Sequence, residues 1–143
     1  MIEIREPKKE EFDSYYNFRW ELLRKPWAQP KGSEKDDFED TAYHIIATDK
    51  NKIIGIGRLH KLSDEKGQIR YMAVDKTFRN KGTGKAILDK LHEKAKELNL
   101  KKIILNARKD AVKFYERQGY KKIAKAHTLF GEIEHFKMEY KLT

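Results

Sequence analysis

The stretch Arg79-Asn80-Lys81-Gly82-Thr83-Gly84-Lys85 decides how the rest of the chain is read. An apolar run, Ile69 to Val74, precedes it and predicts a strand, while Ile87, Leu91, Ala95 and Leu98 follow at helical spacing. A strand, a basic glycine loop and a helix in that order gather unpaired backbone N–H groups and the positive end of a helix dipole at one point. An anion belongs there. Gly82 and Gly84 lack a Cβ, so a phosphate can approach the main chain closely. Arg79, Lys81 and Lys85 add charge around it, and a guanidinium can grip phosphate oxygens in bidentate fashion. Two familiar phosphate loops do not fit. A P-loop needs glycine at Arg79 and Ser or Thr at Ala86, and a dinucleotide fingerprint needs a third glycine at Ile87.

Length and composition narrow the rest. The 143 residues are read as one domain, 1–143, large enough for a real core. No apolar run reaches membrane-spanning length and Met1–Arg5 carries no signal-peptide core, so a cytoplasmic protein without membrane contact is expected. With no cysteine, disulfides and thiolate chemistry are excluded. His44, His60, His92, His127 and His135 show no metal-ligand spacing, and no metal is expected. The net charge of +9 favours an anionic partner, either a phosphate-rich cofactor or nucleic acid. Lysines are spread over nearly every segment and no recognition motif appears, which argues against nucleic acid.

Taken in order, Met1 to Arg5 alternates as a first strand. Phe12, Tyr16 and Leu23 share a face of an aromatic-rich helix that should stop before Pro26. Residues 24 to 41 read as a long loop, with Trp27 between Pro26 and Pro30 and an acidic run from Glu34 to Asp40. Tyr43–Thr48 and Ile53–Leu59 form a hairpin around Asp49–Lys52, with Gly55 and Gly57 on one face at a bulge or close contact. A turn at Asp64–Gly67 leads to a strand at Gln68–Val74, then the glycine loop and a helix to Leu98 with Asn99 as cap. Ile103–Leu105 reads as a strand. A helix capped by Asp110 and ended by Gly119 follows, then strands at Tyr120–Ala124 and Phe136–Leu142.

With its flanks in place, the loop resembles the R/Q-x-x-G-x-G/A signature of the GNAT N-acetyltransferase superfamily. Ala111-Val112-Lys113-Phe114-Tyr115-Glu116-Arg117-Gln118-Gly119-Tyr120 resembles that superfamily's A-x-x-F/L-Y-E-K-x-G-F element. The resemblance implies a mixed α/β fold: a strongly twisted sheet of six to seven strands with helices on both faces. Its fourth and fifth strands, Gln68–Val74 and Lys102–Asn106, splay apart. The implied co-substrate is acetyl-CoA, its pyrophosphate on Arg79–Lys85, with Met72, Ala73 and Val74 also binding it and the backbone N–H groups near Ala73 and Val74 polarising the thioester. An asparagine common in the family is Arg108 here, and Asn106 is offered as its substitute.

Acetyl transfer requires a polarised carbonyl, an unprotonated amine and a proton for the departing thiolate. Tyr115 resembles the family's general acid, against the alternative of a core aromatic. For the acceptor, a small-molecule or peptide amine, the reading places the Asp36–Asp37 carboxylates as a wall attracting a cationic amine. His135 serves there as base or relay, and Trp27 as an apolar lid. A coenzyme A-binding sensor and a basic nucleic-acid module are the competing readings, and a homodimer stays open.

Overall fold

Alternation along the strands sorts the apolar residues onto two faces of one sheet. The computed structural model describes residues 2–142; Met1, counted in the first expected strand, lies outside them. The strands are β1 (Ile2–Arg5), β2 (Tyr43–Asp49), β3 (Lys52–Lys61), β4 (Lys66–Val74), β5 (Lys102–Arg108), β6 (Lys121–Leu129) and β7 (Ile133–Lys141). The helices are α1 (Phe12–Leu23), α2 (Thr83–Glu97) and α3 (Val112–Arg117). They build a seven-stranded sheet in the order β1-β2-β3-β4-β5-β7-β6. Every neighbouring pair is antiparallel except β4 and β5, joined in parallel through α2. This is the mixed α/β architecture expected.

The hairpin turn falls at Lys50 and Asn51, both at positive φ (51° and 66°), the conformation a two-residue turn needs to match strand twist. On one face, Ile45, Ala47, Ile69, Leu105 and Met138 pack with Ile87, Leu88 and Leu91 of α2. Gly55 and Gly57 are what let α2 lie so close: a Cβ on Gly57 would meet Met72 Sδ at 2.7 Å and Ile87 Cγ2 at 2.8 Å. The other face, beneath α1, holds a smaller apolar cluster of Tyr15, Ile46 and Ile56. Of the α1 face expected from spacing, Phe12 and Tyr16 only flank this cluster. The fully buried residues of the helix are Tyr15 and Arg19.

Residues 24 to 41 contain only a short 3-10 turn at Lys25–Trp27, and they are pinned rather than loose. Of their acidic side chains, Glu34, Asp36 and Glu39 turn inward, while Asp37 and Asp40 stay exposed. Arg58 binds Asp36 at 2.6 and 2.9 Å and Glu39 at 2.9 Å, Arg19 reaches Glu39 at 2.8 Å, and Arg70 reaches Asp36 at 2.8 Å. Buried guanidiniums demand such partners, so a loop that looks solvated in sequence becomes an inner lining. Two smaller expectations change as well. Asp110 does not cap α3, and β6 runs on to Leu129 because its partner β7 begins as early as Ile133.

The feature that positions everything else is where β4 and β5 part. They pair only at Lys66↔Lys102, Gly67↔Ile103 and Gln68↔Ile104. Beyond that point β5 stays zipped to β7 through Arg108↔His135, while β4 stays with β3. The splay lies between the fourth and fifth strands, as expected.

Candidate active site

A bulge in β4 shapes the cleft opened by this splay. Ile56 pairs with Ala73 and Arg58 with Arg70, so Gly57 faces two residues, Tyr71 and Met72. Tyr71 absorbs the extra residue at φ 60°, a strained conformation for a bulky side chain. As a result Arg70 and Tyr71, though adjacent, both face the α1 side. Four guanidiniums surround the Tyr71 ring, those of Arg19 (4.0 Å), Arg70 (4.5 Å), Arg58 (4.9 Å) and Arg24 (5.7 Å).

After the bulge the ladder fixes which amide faces the cleft. Asp75 N–H donates to the Ile54 carbonyl at 2.7 Å, which makes Ala73 and Ile56 the next hydrogen-bonded pair. Ala73 N–H therefore belongs to the β3 ladder. Val74 points its N–H the other way, into the splay where β5 no longer pairs. Of the expected backbone donors, Val74 is the one so directed.

At the end of β4 the glycine loop meets the N-terminus of α2. Asn80 and Gly82 sit at φ 62° and 83°, and no side chain caps the helix, so its first N–H groups are open to an incoming anion. Nothing lies within 4 Å of where a Gly82 Cβ would stand. Thr83 Oγ1 is buried with no hydrogen-bond partner among the described residues. Arg79 anchors its Nε on the Val74 carbonyl at 3.0 Å, leaving its terminal nitrogens for another ligand. Lys85 holds only a surface ion pair with Asp89 (2.8 Å), weak and easily exchanged. Lys81 lies over the Phe78 ring at 5.7 Å. This donor set fits a pyrophosphate.

The cleft itself, about 400 Å³, is lined by Met72, Asn106 and Tyr115 together with residues from α1, β6 and β7. Tyr115 is 7% exposed, and burial alone raises its phenol pKa, so the hydroxyl stays protonated across the neutral range. His135, directly opposite Arg108, is buried and stacks on His127 with centroids 4.6 Å apart. Its Nδ1 lies 2.9 Å from the Ile133 carbonyl, which can only accept, so Nδ1 carries the proton and Nε2 is free to take one. Burial and the neighbouring His127 and Arg108 charges push its pKa down, outweighing that bond and keeping the ring neutral.

Tyr115, His135, Asn106 and Met72 thus converge on one cleft, with Val74 and the Arg79–Lys85 loop at its end. The remaining candidates lie elsewhere. Asp36 spends its carboxylate on Arg58 and Arg70, whose bonds hold its pKa far below the usual carboxylate range, and Asp37 is exposed; neither lines the cleft. Trp27 stacks on Phe130 in the β6–β7 turn at 6.3 Å rather than lining the cavity. Sequence reasoning passed over Arg24, Arg70 and His127, which do line it. Each is an ordinary polar residue until a bulge or a register places it.

A family profile described as Acetyltransferase (GNAT) domain matches residues 21–142. The chain belongs to the GNAT acetyltransferase family. It is 32% identical over 126 residues to the uncharacterized N-acetyltransferase YjcF of Bacillus subtilis (strain 168), covering 88% of this chain and 89% of that protein. Among solved structures, a putative N-acetyltransferase from Lactobacillus plantarum superposes with a TM-score of 0.86 at 18% identity over 99% of both chains. A GNAT family acetyltransferase from Elizabethkingia anophelis with acetyl-CoA bound gives 0.76 at 20% identity, over 98% of this chain and 97% of that one. As a GNAT member the chain is an acetyl-CoA-dependent acyltransferase. No helix among the described residues is long and apolar enough to cross a membrane.

Proposed function

We propose that this chain moves the acetyl group of acetyl-CoA directly to a primary amine of a small molecule, both held together in the cleft between β4 and β5. The observation that carries the reading is Tyr115, a buried phenol lining the space where the strands part, with the uncapped α2 N-terminus at the end of the same strand. Bound acetyl-CoA supplies the activated acetyl thioester. Gly82, Gly84 and the flanking Arg79, Lys81 and Lys85 hold its phosphates, with Asn80 and Thr83 shaping the turn and Asn106 offering an amide to the arm.

Val74 N–H receives the negative charge that develops on the carbonyl oxygen. The acceptor nitrogen forms the new amide bond as the carbon–sulfur bond breaks. His135 Nε2 takes the proton the nitrogen sheds, directly or through water, and Tyr115 gives its proton to the thiolate. A donor held in the correct position typically contributes about 10²–10⁴-fold. Thermal shift with acetyl-CoA, followed by an amine-library assay of released coenzyme A thiol, tests the reading. A melting temperature that rises with the logarithm of acetyl-CoA concentration, and thiol release with some amine, are expected. No shift at millimolar acetyl-CoA would remove the reading.

A further inference from the structure

The fixed charges on the walls of the cleft, those of Arg24, Arg70 and Arg108, are all positive. Arg24, Arg70, Arg108, His127 and His135 all line it, and no aspartate or glutamate does. Four of these five are placed on the α1 side by the strand pattern and by α1 itself. Arg108 and His135 are cross-strand partners, and they alternate with Ala107 and Phe136 of the α2-side core. Arg70 faces that side through the bulge, and Arg24 ends α1. The group therefore lies away from the phosphate loop, which belongs to α2 on the opposite face.

These guanidiniums are also short of acceptors. Among the described residues Arg24 bonds only main-chain oxygens, those of Ser33 at 3.1 Å and Leu23 at 3.1 Å. Arg70 spends one nitrogen on Asp36. Arg108 Nε is buried without a hydrogen-bond partner among the described residues, its nearest carboxylate, Asp110, being 3.7 Å away. The Arg70 and Arg108 side chains are 39% and 41% exposed, so their remaining nitrogens are accessible. A bound anion offers them charge-assisted bonds and gives the buried orphan donor, Arg108 Nε, an acceptor. Like charge from Arg70 and Arg19, added to burial, pushes the Arg24 pKa down.

From this juxtaposition, and resting on the acetyltransferase reading above, we infer that the acceptor is a small amine bearing its own carboxylate or phosphate, which docks on Arg70, Arg108 and Arg24. A purely cationic amine would be repelled by this wall, whereas an amine with an anionic handle enters with its charge matched. The same wall disfavours the ammonium form once the handle is seated, helping His135 to free the nitrogen lone pair.

The test uses matched acceptors at saturating acetyl-CoA: L-serine and L-leucine against their α-carboxamides, and O-phosphoethanolamine against ethanolamine. In at least one pair the anionic member should show kcat/KM on the order of 10-fold or more above its neutral mate, and the arm in which it appears separates carboxylate from phosphate. Arg70→Gln and Arg108→Gln should each reduce that preference at least about 5-fold through KM, with Arg70→Lys restoring part of it and the KM for acetyl-CoA unchanged. Neutral acceptors turned over as well as anionic ones, or a preference untouched by both variants, would overturn the inference while leaving acetyl transfer standing. If no pair is turned over, calorimetric titration of the coenzyme A-loaded protein with inorganic phosphate and with N-acetylglycine decides. Binding that weakens about 10-fold in Arg108→Gln supports the inference, and absent or unaltered binding overturns it. Failure to bind acetyl-CoA at all removes both readings together.

Discussion

Tyr115 and His135 face the same cleft with opposite proton inventories, one held protonated by burial and the other held neutral. Tyr115→Phe keeps the ring and its packing against Tyr120 while removing the proton donor. Turnover should fall on the order of 10²-fold with little change in KM for acetyl-CoA. A parallel loss of melting temperature, with turnover per bound cofactor preserved, would return the residue to a packing role. For His135→Ala the sign of the pH effect is the informative part. Its pKa lies below the ordinary histidine value, so the wild-type enzyme should keep its base through neutrality. The variant should lose most at low pH and recover as free amine accumulates above neutrality. Rate–pH profiles of the two proteins measure this directly.

At the scale of elements, three glycines give three different outcomes although each is only a missing side chain. Gly57→Ala drives a Cβ into Met72, Ile87 and Leu91, all within 3.0 Å, so α2 must back away from the sheet. Overpacking of this kind costs about 1–3 kcal/mol and should also weaken cofactor binding, because the helix that moves carries the phosphate site. At Gly84 an added Cβ meets Phe114 at 3.5 Å and Val74 at 3.8 Å, both ordinary contacts, so Gly84→Val is tolerated by the fold. It should fold normally yet lose on the order of 10-fold in acetyl-CoA affinity by calorimetry. Gly82→Ala has open space but a φ of 83°, so its penalty of about 1 kcal/mol is backbone strain.

The loop and its helix were legible in the sequence because glycine spacing and helical period are one-dimensional patterns, whereas the splay came only with the family resemblance. The acidic run at 34–40 was not legible, since a run of carboxylates looks the same whether it turns to water or to buried arginines. The bulge was half marked: Gly57 read as lying at a bulge or close contact, and the register does slip there, but nothing marked the residues opposite it. Tyr71, not a glycine, occupies its positive-φ position, and so the arginine wall beside it stayed hidden. Asp110 does not cap α3 because it falls inside a 3-10 turn, Lys109–Ala111, that leaves Ala111 at the N-cap, and its carboxylate lies instead 3.7 Å from Arg108.

Across the whole molecule, acid should destabilise the fold in two stages. Burial, joined at His60 by the Arg58 guanidinium, lowers His60 and His92 to about 4. An unfolded histidine binds its proton near pH 6.5, so between roughly 6.5 and 4 the unfolded chain holds more protons and stability falls as pH falls. Asp36 adds the second stage. Its folded pKa is depressed by Arg58 and by the Phe38 amide against the opposing effect of burial, so its contribution is intact above roughly pH 4 and fades below it. Melting temperature plotted against pH should bend first near 6.5, and His92→Gln should flatten that first bend. Asp36→Asn should flatten the second and lower stability at neutral pH by on the order of 3 kcal/mol, since Arg58 loses its bidentate partner.

Three residue pairs hold β4 to β5, and that narrow seam is where the sheet's own hydrogen bonding is thinnest, with the core under α2 bridging it on one face. On one side lie β1 to β4 with α1; on the other, β5, β7 and β6 with α3; α2, on the face opposite α1, packs on Ile45 and Ala47 of the first part and on Leu105 and Met138 of the second. Wherever opening follows the fewest inter-strand bonds, the C-terminal leaf can swing or detach as a unit before the N-terminal leaf melts. Deuterium should therefore enter the seam-facing amides, Val74 among them, faster than the β2–β3 ladder. Acetyl-CoA, lying across the gap, should slow exchange on both leaves at once. If the two leaves exchange at one common rate with and without it, they are a single cooperative unit and the seam is not a line of weakness.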